Sequence, residues 1–164
     1  MARLREDQVL VPSVLDRLID YEPGVEREPP QLANQVLREL KSSVQRDLQN
    51  LLNTRWRCEP PPADLDELRH SLVNYGIPDF TGLNLASDHE RDEFRWVVEQ
   101  AIRNFEPRFK SVRVELLENA DSADRTLRLR IDALLYAAPA PEPVVFDSVI
   151  KTATGTVEIR GAGR

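Results

Sequence analysis

The chain has 164 residues, of which 30% are charged and 6% aromatic, and its formal net charge is -6 at pH 7. A chain of this length fits one domain with a buried core. The acidic balance argues against binding to nucleic acid or to a membrane surface, because either needs a positive face. The one cysteine, Cys58, excludes an internal disulfide and favours a reducing compartment.

Targeting and catalytic motifs are sparse. No stretch approaches the about 20 apolar residues of a membrane-spanning helix, and the N-terminus has no apolar run of signal-peptide length, so we expect a cytoplasmic protein without direct membrane insertion. His70 and His89 lie in polar, helix-like contexts, and one cysteine cannot build a Cys/His metal cluster. Without a glycine-rich phosphate loop or a nucleophile elbow, the sequence predicts no cofactor, no metal and no catalytic residue.

A short helix is predicted near the N-terminus. Residues 13–20, SVLDRLID, place Ser13 at the N-cap and four apolar side chains on one face. A proline- and charge-rich spacer, YEPGVEREPP, follows, so we divide the chain into an N-terminal docking segment with its spacer, residues 1–30, and a single domain, residues 31–164. Two interpretations of the short helix stay open, docking on a partner and packing on its own domain.

A longer amphipathic helix is predicted over residues 31–52, where leucine and valine recur at three- and four-residue spacing. Arg55, Trp56 and Arg57 follow it. Such a cluster can stack on nucleic acid, but two arginines in an acidic protein are weak support for that. We favour cations that interact with the carbonyl end of the helix.

The segment ADLDELRHSLVNYG predicts a further helix. Asp64 and Glu67 have the spacing of a capping box, three leucines share one face, and Gly76 suits the left-handed position after the last turn.

The next helix is predicted from residue 88 to residue 105, because six apolar residues follow helical spacing there. Ser87 is its predicted N-cap, with Glu90 as the reciprocal partner. Pro107 ends it, since proline lacks the amide donor and clashes with the preceding turn.

Strands are predicted from there on, because the apolar period changes to alternation. Residues 112–116 and 127–131 alternate between apolar and charged side chains, and VVFDSVIK and TVEIR predict a third and a fourth strand. The fold class is therefore α+β, with amphipathic helices packed on a C-terminal antiparallel β-sheet of about four strands.

Five ordered blocks carry a resemblance to a known family: LLNTR, SLVNYGIPDFTG, FEPRF, TLRLRIDALL and PEPVVFDSVIKTATG. Together they resemble TssE, a baseplate component of the bacterial type VI secretion system, over residues 10–160. TssE is similar to the baseplate wedge protein of contractile-tail phages, and its family has the historical label lysozyme-like.

The resemblance implies a structural subunit without enzymatic activity. Such a subunit joins the TssF and TssG wedge proteins and TssK, and it helps to initiate the contractile TssB–TssC sheath around the Hcp tube. It also implies a location in the baseplate docked at the inner membrane complex.

The family's Glu-Pro-Arg motif falls on Glu106, Pro107 and Arg108, between Phe105 and Phe109. Without the resemblance, the two charges would be ordinary solvated groups. With it, we expect a partner-binding motif on an apolar base, in which Arg108 binds partner oxygens through its planar guanidinium and Glu106 either orients it or accepts from amide donors. Both charges are then expected to face a partner, so that replacing either leaves the fold nearly intact.

Val157 and Ile159 are candidate partner-binding residues in the last strand. The third strand, residues 144–151, follows APAPEP, whose prolines cannot donate ladder hydrogen bonds, so a central position is not expected for it. The short strand TVEIR is expected to be a free edge that accepts an extended segment from a sheath subunit.

Two other functions are weighed against assembly. A muramidase needs two carboxylates around the sugar bond, one of them kept protonated by apolar surroundings. Glu106 lies between two phenylalanines, but Arg108 would favour its ionised form, and the sequence does not place Asp79 or Asp147 as the second carboxylate. The other alternative is a freestanding adaptor domain, which binding to TssF, TssG or sheath subunits would exclude.

Overall fold

The computed structural model describes residues 14–19, 23–24, 33–57, 62, 64–82, 84, 87–118, 126–137 and 140–161. Helices come first and a four-stranded antiparallel sheet follows, which confirms the α+β prediction. The elements within these residues are α1 (Val14–Leu18), α2 (Ala33–Asn53), α3 (Asp88–Phe105), β1 (Phe109–Leu117), β2 (Thr126–Leu135), β3 (Glu142–Lys151) and β4 (Thr156–Gly161).

Part of the predicted domain division falls outside these residues. Residues 1–13, 20–22 and 25–32, and with them Ser13 and most of the spacer, are not among those described. The short helix itself is confirmed as α1. The boundary between residues 30 and 31 stays a prediction.

The sheet has the strand order β1-β2-β3-β4, so neighbours in sequence are neighbours in space. Alternate residues of each strand are buried on one face, for example Val114, its β2 partner Ile131 and that residue's β3 partner Phe146. The helices α2 and α3 supply the apolar side chains that complete this core: Leu40, Val44, Leu48, Leu51, Leu52, Phe94, Val98, Ala101 and Ile102.

The expected peripheral position of the third strand is wrong, because β3 lies between β2 and β4. Pro143 is tolerated there for a local reason. It pairs with Leu134 of β2, whereas the pairing with β4 extends only as far as Phe146 opposite Gly161. Among the described residues, the proline therefore lies where β3 has a neighbour on one side only.

The helix predicted after Asp64 is also wrong. Two 3-10 turns, Asp66–His70 and Leu72–Asn74, occupy the segment, and no side chain caps the first of them. Ser71 separates them, since its hydroxyl donates to the Leu68 carbonyl and accepts from the Val73 amide. Local side-chain bonds of this kind compete with helical hydrogen bonds.

Gly76 has the predicted positive φ, at 113°, but its role is a close approach to Thr54, the residue after α2. A Cβ at this position would lie 2.4 Å from the Thr54 carbonyl oxygen. Beside it the Ile77 amide donates to Thr54 at 3.0 Å and the Trp56 amide donates to Ile77 at 2.9 Å, which forms a parallel bridge between Arg55 and Ile77. Glycine thus lets the two segments meet.

The helix α3 begins and ends as predicted. The Ser87 hydroxyl accepts from the Glu90 amide at 3.3 Å, and the helix ends at Phe105, two residues before Pro107. The reciprocal half of the capping box is wrong, since the Glu90 carboxylate accepts from the Asn84 amide instead. In the described part of the chain, no helix has both the length and the apolar character needed to cross a membrane.

Candidate partner-binding site

Glu106 and Arg108 bind each other in the turn between α3 and β1. The Arg108 Nε donates to Glu106 Oε1 at 2.6 Å and Nη2 donates to Oε2 at 2.5 Å, while the Arg108 backbone amide donates to Oε1 at 3.1 Å. Only 4% of Glu106 is exposed. A carboxylate at a helix carbonyl end is unfavourable alone, and this two-point contact supplies the compensating charge.

Arg108 also reaches the long helix α2. Its Nη1 donates to the Ser43 hydroxyl at 3.0 Å and its Nη2 donates to Asp47 Oδ2 at 2.6 Å. Burial alone would lower the pKa of Arg108, but the hydrogen bonds and charges of Glu106 and Asp47 outweigh it and raise the pKa. A permanently charged guanidinium therefore joins α2 to the turn between α3 and β1.

The contacts continue to α1 through Asp16. Its Oδ2 accepts from the Ser43 hydroxyl at 2.5 Å and its Oδ1 accepts from Arg46 Nη2 at 2.7 Å. Arg46 in turn lies 3.3 Å from Asp47. The Ser43 hydroxyl thus donates to Asp16 and accepts from Arg108. We call this set the Arg108 network: Asp16, Ser43, Arg46, Asp47, Glu106 and Arg108.

The expected outward-facing charge pair is therefore wrong, because Arg108 binds Ser43 and Asp47 of α2 and the buried Glu106 binds Arg108. Partner binding by these two residues stays a prediction. The flanking phenylalanines belong to the interior as well. Phe109 is 9% exposed and lies in the core, while Phe105 packs edge-to-face on Tyr75 at 5.3 Å between ring centroids. Of the motif and its two phenylalanines, Pro107 is the residue that is exposed.

An open cavity of about 310 Å³ adjoins the motif on the β1 side. Its lining includes Glu106 and Phe109, with Arg103 and Lys110 as the basic residues. A partner that contacts this region would meet Pro107 and the cavity rather than the Arg108 guanidinium. Whether a partner binds there stays a prediction.

The outer edge of β4 is covered by α2. The side chains of Val157 and Ile159 are 1% and 5% exposed, and their backbone groups point away from β3. The Ile159 amide donates to Gln49 Oε1 at 2.7 Å, and the Val157 amide donates to Asn53 Oδ1 at 2.9 Å. Gln49 and Asn53 also donate to the Val157 carbonyl.

A third amide, Gln45, donates to the Ile159 carbonyl at 3.0 Å and completes the set. We call Gln45, Gln49 and Asn53 the amide row. Residues four apart on a helix are roughly 6 Å apart along its axis, close to the about 6.6 Å between alternate residues of a strand. The row therefore matches the spacing of the outward-facing backbone groups of Val157 and Ile159.

The outer edge of β1 is covered in the same manner by α3. The Val114 amide donates to Glu99 Oε2 at 3.0 Å, and Arg95 Nη1 donates to the Val114 carbonyl at 3.3 Å. Arg103 Nη2 donates to the Val112 carbonyl at 3.2 Å and to Glu99 Oε1 at 2.6 Å. We call Arg95, Glu99 and Arg103 the charged row.

The last strand is an edge strand, as predicted. The expectation that this edge is free is wrong, since the outward backbone groups of Val157 and Ile159 already have partners on α2. A proline at either position would remove a bond to the amide row rather than to an added strand. A partner contact at Val157 and Ile159 stays a prediction. The two candidate groups also lie apart, since Ser43 and Asp47 flank the apolar stripe of α2 on one side and the amide row flanks it on the other.

Arg55, from the basic-aromatic cluster after α2, has the role that we favoured. Arg55 Nη1 donates to the Leu52 carbonyl at 3.0 Å, and Nη2 donates to the Gly155 carbonyl at 2.5 Å. Its guanidinium lies 4.2 Å from the Phe80 ring centroid, and burial lowers its pKa. Arg55 therefore joins the end of α2 to the turn between β3 and β4.

Sequence reasoning missed Ser43, Asp47 and both rows. Three amide side chains at four-residue spacing beside an apolar stripe can be recognised in the sequence. The spacing does not indicate which strand these side chains bind. Among the described residues, no three His, Cys, Asp or Glu side chains come together as ligands for a metal ion.

Comparison with known families gives one match. A family model described as baseplate wedge protein gp25 matches residues 38–140, more than half of the chain. The matched span includes every member of the Arg108 network except Asp16, and it includes the whole charged row. No curated protein matches the chain.

Proposed function

Because the chain belongs to the family of baseplate wedge protein gp25, we propose that it is the type VI secretion baseplate subunit that joins the TssF–TssG wedge and helps to initiate the TssB–TssC sheath. Family membership makes it a phage-tail-like baseplate subunit that interacts with other baseplate proteins. The order of the five TssE-like blocks supports the type VI assignment, with TssK and the Hcp tube as neighbours and the inner membrane complex as the docking place.

The observation that carries the proposal is the family match over the Arg108 network. Glu106, Pro107 and Arg108 lie inside the matched span, and Arg108 joins α2 to the turn between α3 and β1. Such a network fixes the helices on the sheet. A subunit that sets the geometry of its neighbours requires helices held in fixed positions. Arg108 is 65 and 61 residues from its α2 partners Ser43 and Asp47, so the motif organises the tertiary structure.

We further propose that the chain is not an enzyme. A muramidase acid donates a proton to the oxygen of the sugar bond, whereas both carboxylate oxygens of Glu106 accept hydrogen bonds from Arg108. Asp79 accepts hydrogen bonds from Thr81 in an exposed loop, and Asp147 pairs with Arg130 on the solvent side of the sheet. Neither contacts Glu106 as a second catalytic carboxylate.

Reconstitution tests this function. The full chain is co-expressed with TssF and TssG, and an affinity tag on the chain is used to isolate the complex. We expect stable co-purification, and we expect fluorescent sheaths to be lost in cells without the gene and restored by the full chain. Absence of both would contradict the proposal. Peptidoglycan turnover above a buffer control that disappears in Glu106→Gln would instead support the muramidase.

A further inference from the structure

The short helix α1 is oriented with its apolar side outward. Val14, Leu15 and Leu18 are 74%, 56% and 75% exposed, whereas its acidic residue Asp16 is turned toward α2. Three of the eight large apolar side chains that are exposed among the described residues lie in these five residues. A helix that packs on its own domain has the opposite orientation, with apolar residues inward.

Asp16 holds α1 in this orientation. Both of its carboxylate oxygens are bonded, one to Ser43 and the other to Arg46, and its side chain is 17% exposed. A helix of five residues is not stable by itself in water, so contacts with the domain must support it. The Arg108 network therefore presents the apolar side of α1 to the surroundings.

We propose that α1 is a docking helix whose apolar side enters a groove on another baseplate subunit, and that this groove has a basic rim. This inference rests on the proposed function. An exposed cluster of aliphatic side chains is typical of an interaction site, and an amphipathic helix in an apolar groove is a recurring mode of peptide recognition.

The charge around α1 selects a protein groove over a membrane surface. Asp16 is already paired with Arg46, and the rest of residues 14–22 contains two acidic residues, Asp20 and Glu22, against one basic residue, Arg17. Anionic membrane surfaces attract basic segments and repel acidic ones. A groove lined by aliphatic residues and rimmed by lysine or arginine complements both the apolar side and the acidic flank.

The test compares Leu15→Ser/Leu18→Ser with Leu72→Ser, a matched control at a leucine that is 84% exposed elsewhere on the surface. Each full-length chain is titrated against purified TssF–TssG. We expect the double variant to bind about 100-fold more weakly, because two buried aliphatic contacts are lost. The control should bind as the wild type does, and all three chains should keep the same melting temperature, since these side chains are exposed in the free protein.

The outcomes separate this inference from the proposed function. Wild-type chain that does not bind TssF–TssG would overturn the proposed function and the docking helix with it. Equal binding by wild type and double variant would overturn the docking helix alone. A wild-type dimer that the double variant converts to monomer in sedimentation, or wild type that floats with vesicles of phosphatidylcholine and phosphatidylglycerol, would also overturn it, since the occupant would then be a second copy or a membrane.

Discussion

The two edge strands of the sheet are covered by helices in the same geometry but with different chemistry. The amide row of α2 bonds the outer backbone groups of β4, and the charged row of α3 bonds those of β1. Both rows use side chains four residues apart. On both edges, helix side chains at four-residue spacing supply the donors and acceptors for the outward backbone groups of the strand. This covers the edge whether or not the side chains are charged.

The rows differ in what supports them. An amide side chain both donates and accepts, so Gln49 and Asn53 each satisfy an amide and a carbonyl of β4 without help. In the charged row Glu99 only accepts and the arginines only donate, so they also pair with each other. The β1 edge should therefore depend on ionic strength, whereas the β4 edge should not.

Arg108→Ala should have the largest effect, because it leaves the buried Glu106 carboxylate without its cation. We expect a loss of about 3–5 kcal/mol in the free energy of unfolding, measured by urea denaturation. Hydrogen exchange should quicken at the Val157 amide, which α2 covers, more than at the Val114 amide, which α3 covers. Arg113→Ala, at an arginine whose side chain is 77% exposed, is the control and should change little. Unchanged stability in Arg108→Ala would contradict a structural role of the network.

Gln49→Ala should uncover part of the β4 edge. The Ile159 amide loses its acceptor, for which we expect a cost of about 1–3 kcal/mol and faster hydrogen exchange at that amide. Gln49→Glu keeps an acceptor but loses the donor to Val157, so it should also destabilise. Gln100→Ala on α3 serves as the matched control. Slow exchange at Ile159 in Gln49→Ala would show that the amide row does not cover this edge.

Glu99→Gln should show that the stability of the β1 edge depends on salt and that of the β4 edge does not. The amide oxygen can still accept from Val114, but the ion pairs with Arg95 and Arg103 are lost. We expect a loss of about 0.5–1 kcal/mol at low salt, which shrinks as salt screens the half-exposed arginines. The loss in Gln49→Ala should be the same at low and high salt, and equal salt dependence in both variants would remove the distinction.

Tyr75→Phe should have the smallest effect and should appear only at alkaline pH. Burial, followed by the charges of Asp47 and Glu106, raises the pKa of Tyr75 above its ordinary value of 10.0. Its neutral form is therefore favoured in the folded state, and stability is lost as the pH rises above the unfolded value. The variant should unfold less readily than wild type at high pH and equally at neutral pH, as thermal melts from pH 7 to 11 would show. Parallel curves would contradict the raised pKa.

Local periodicity was enough to predict α2, α3 and all four strands. The prediction failed over 64–76, where Ser71 bonds its own backbone neighbours and divides the segment into two 3-10 turns. It also failed for the orientation of Arg108, because its α2 partners Ser43 and Asp47 lie more than 60 residues away in sequence. The motif could be recognised as important, but no local pattern distinguishes a charge that faces a partner from one that faces a distant helix.

The covering of β4 by α2 has a consequence for how the chain folds. The bonds of the charged row span 9 to 19 residues, so the β1 edge can be covered as soon as β1 has been synthesised. The bonds of the amide row span 104 to 114 residues, so they wait for the last strand. Until β4 pairs, β3 is the outermost strand, and an unpaired strand edge readily pairs with other chains. Intermolecular association during synthesis should therefore begin at β3, in the interval before β4 and α2 meet.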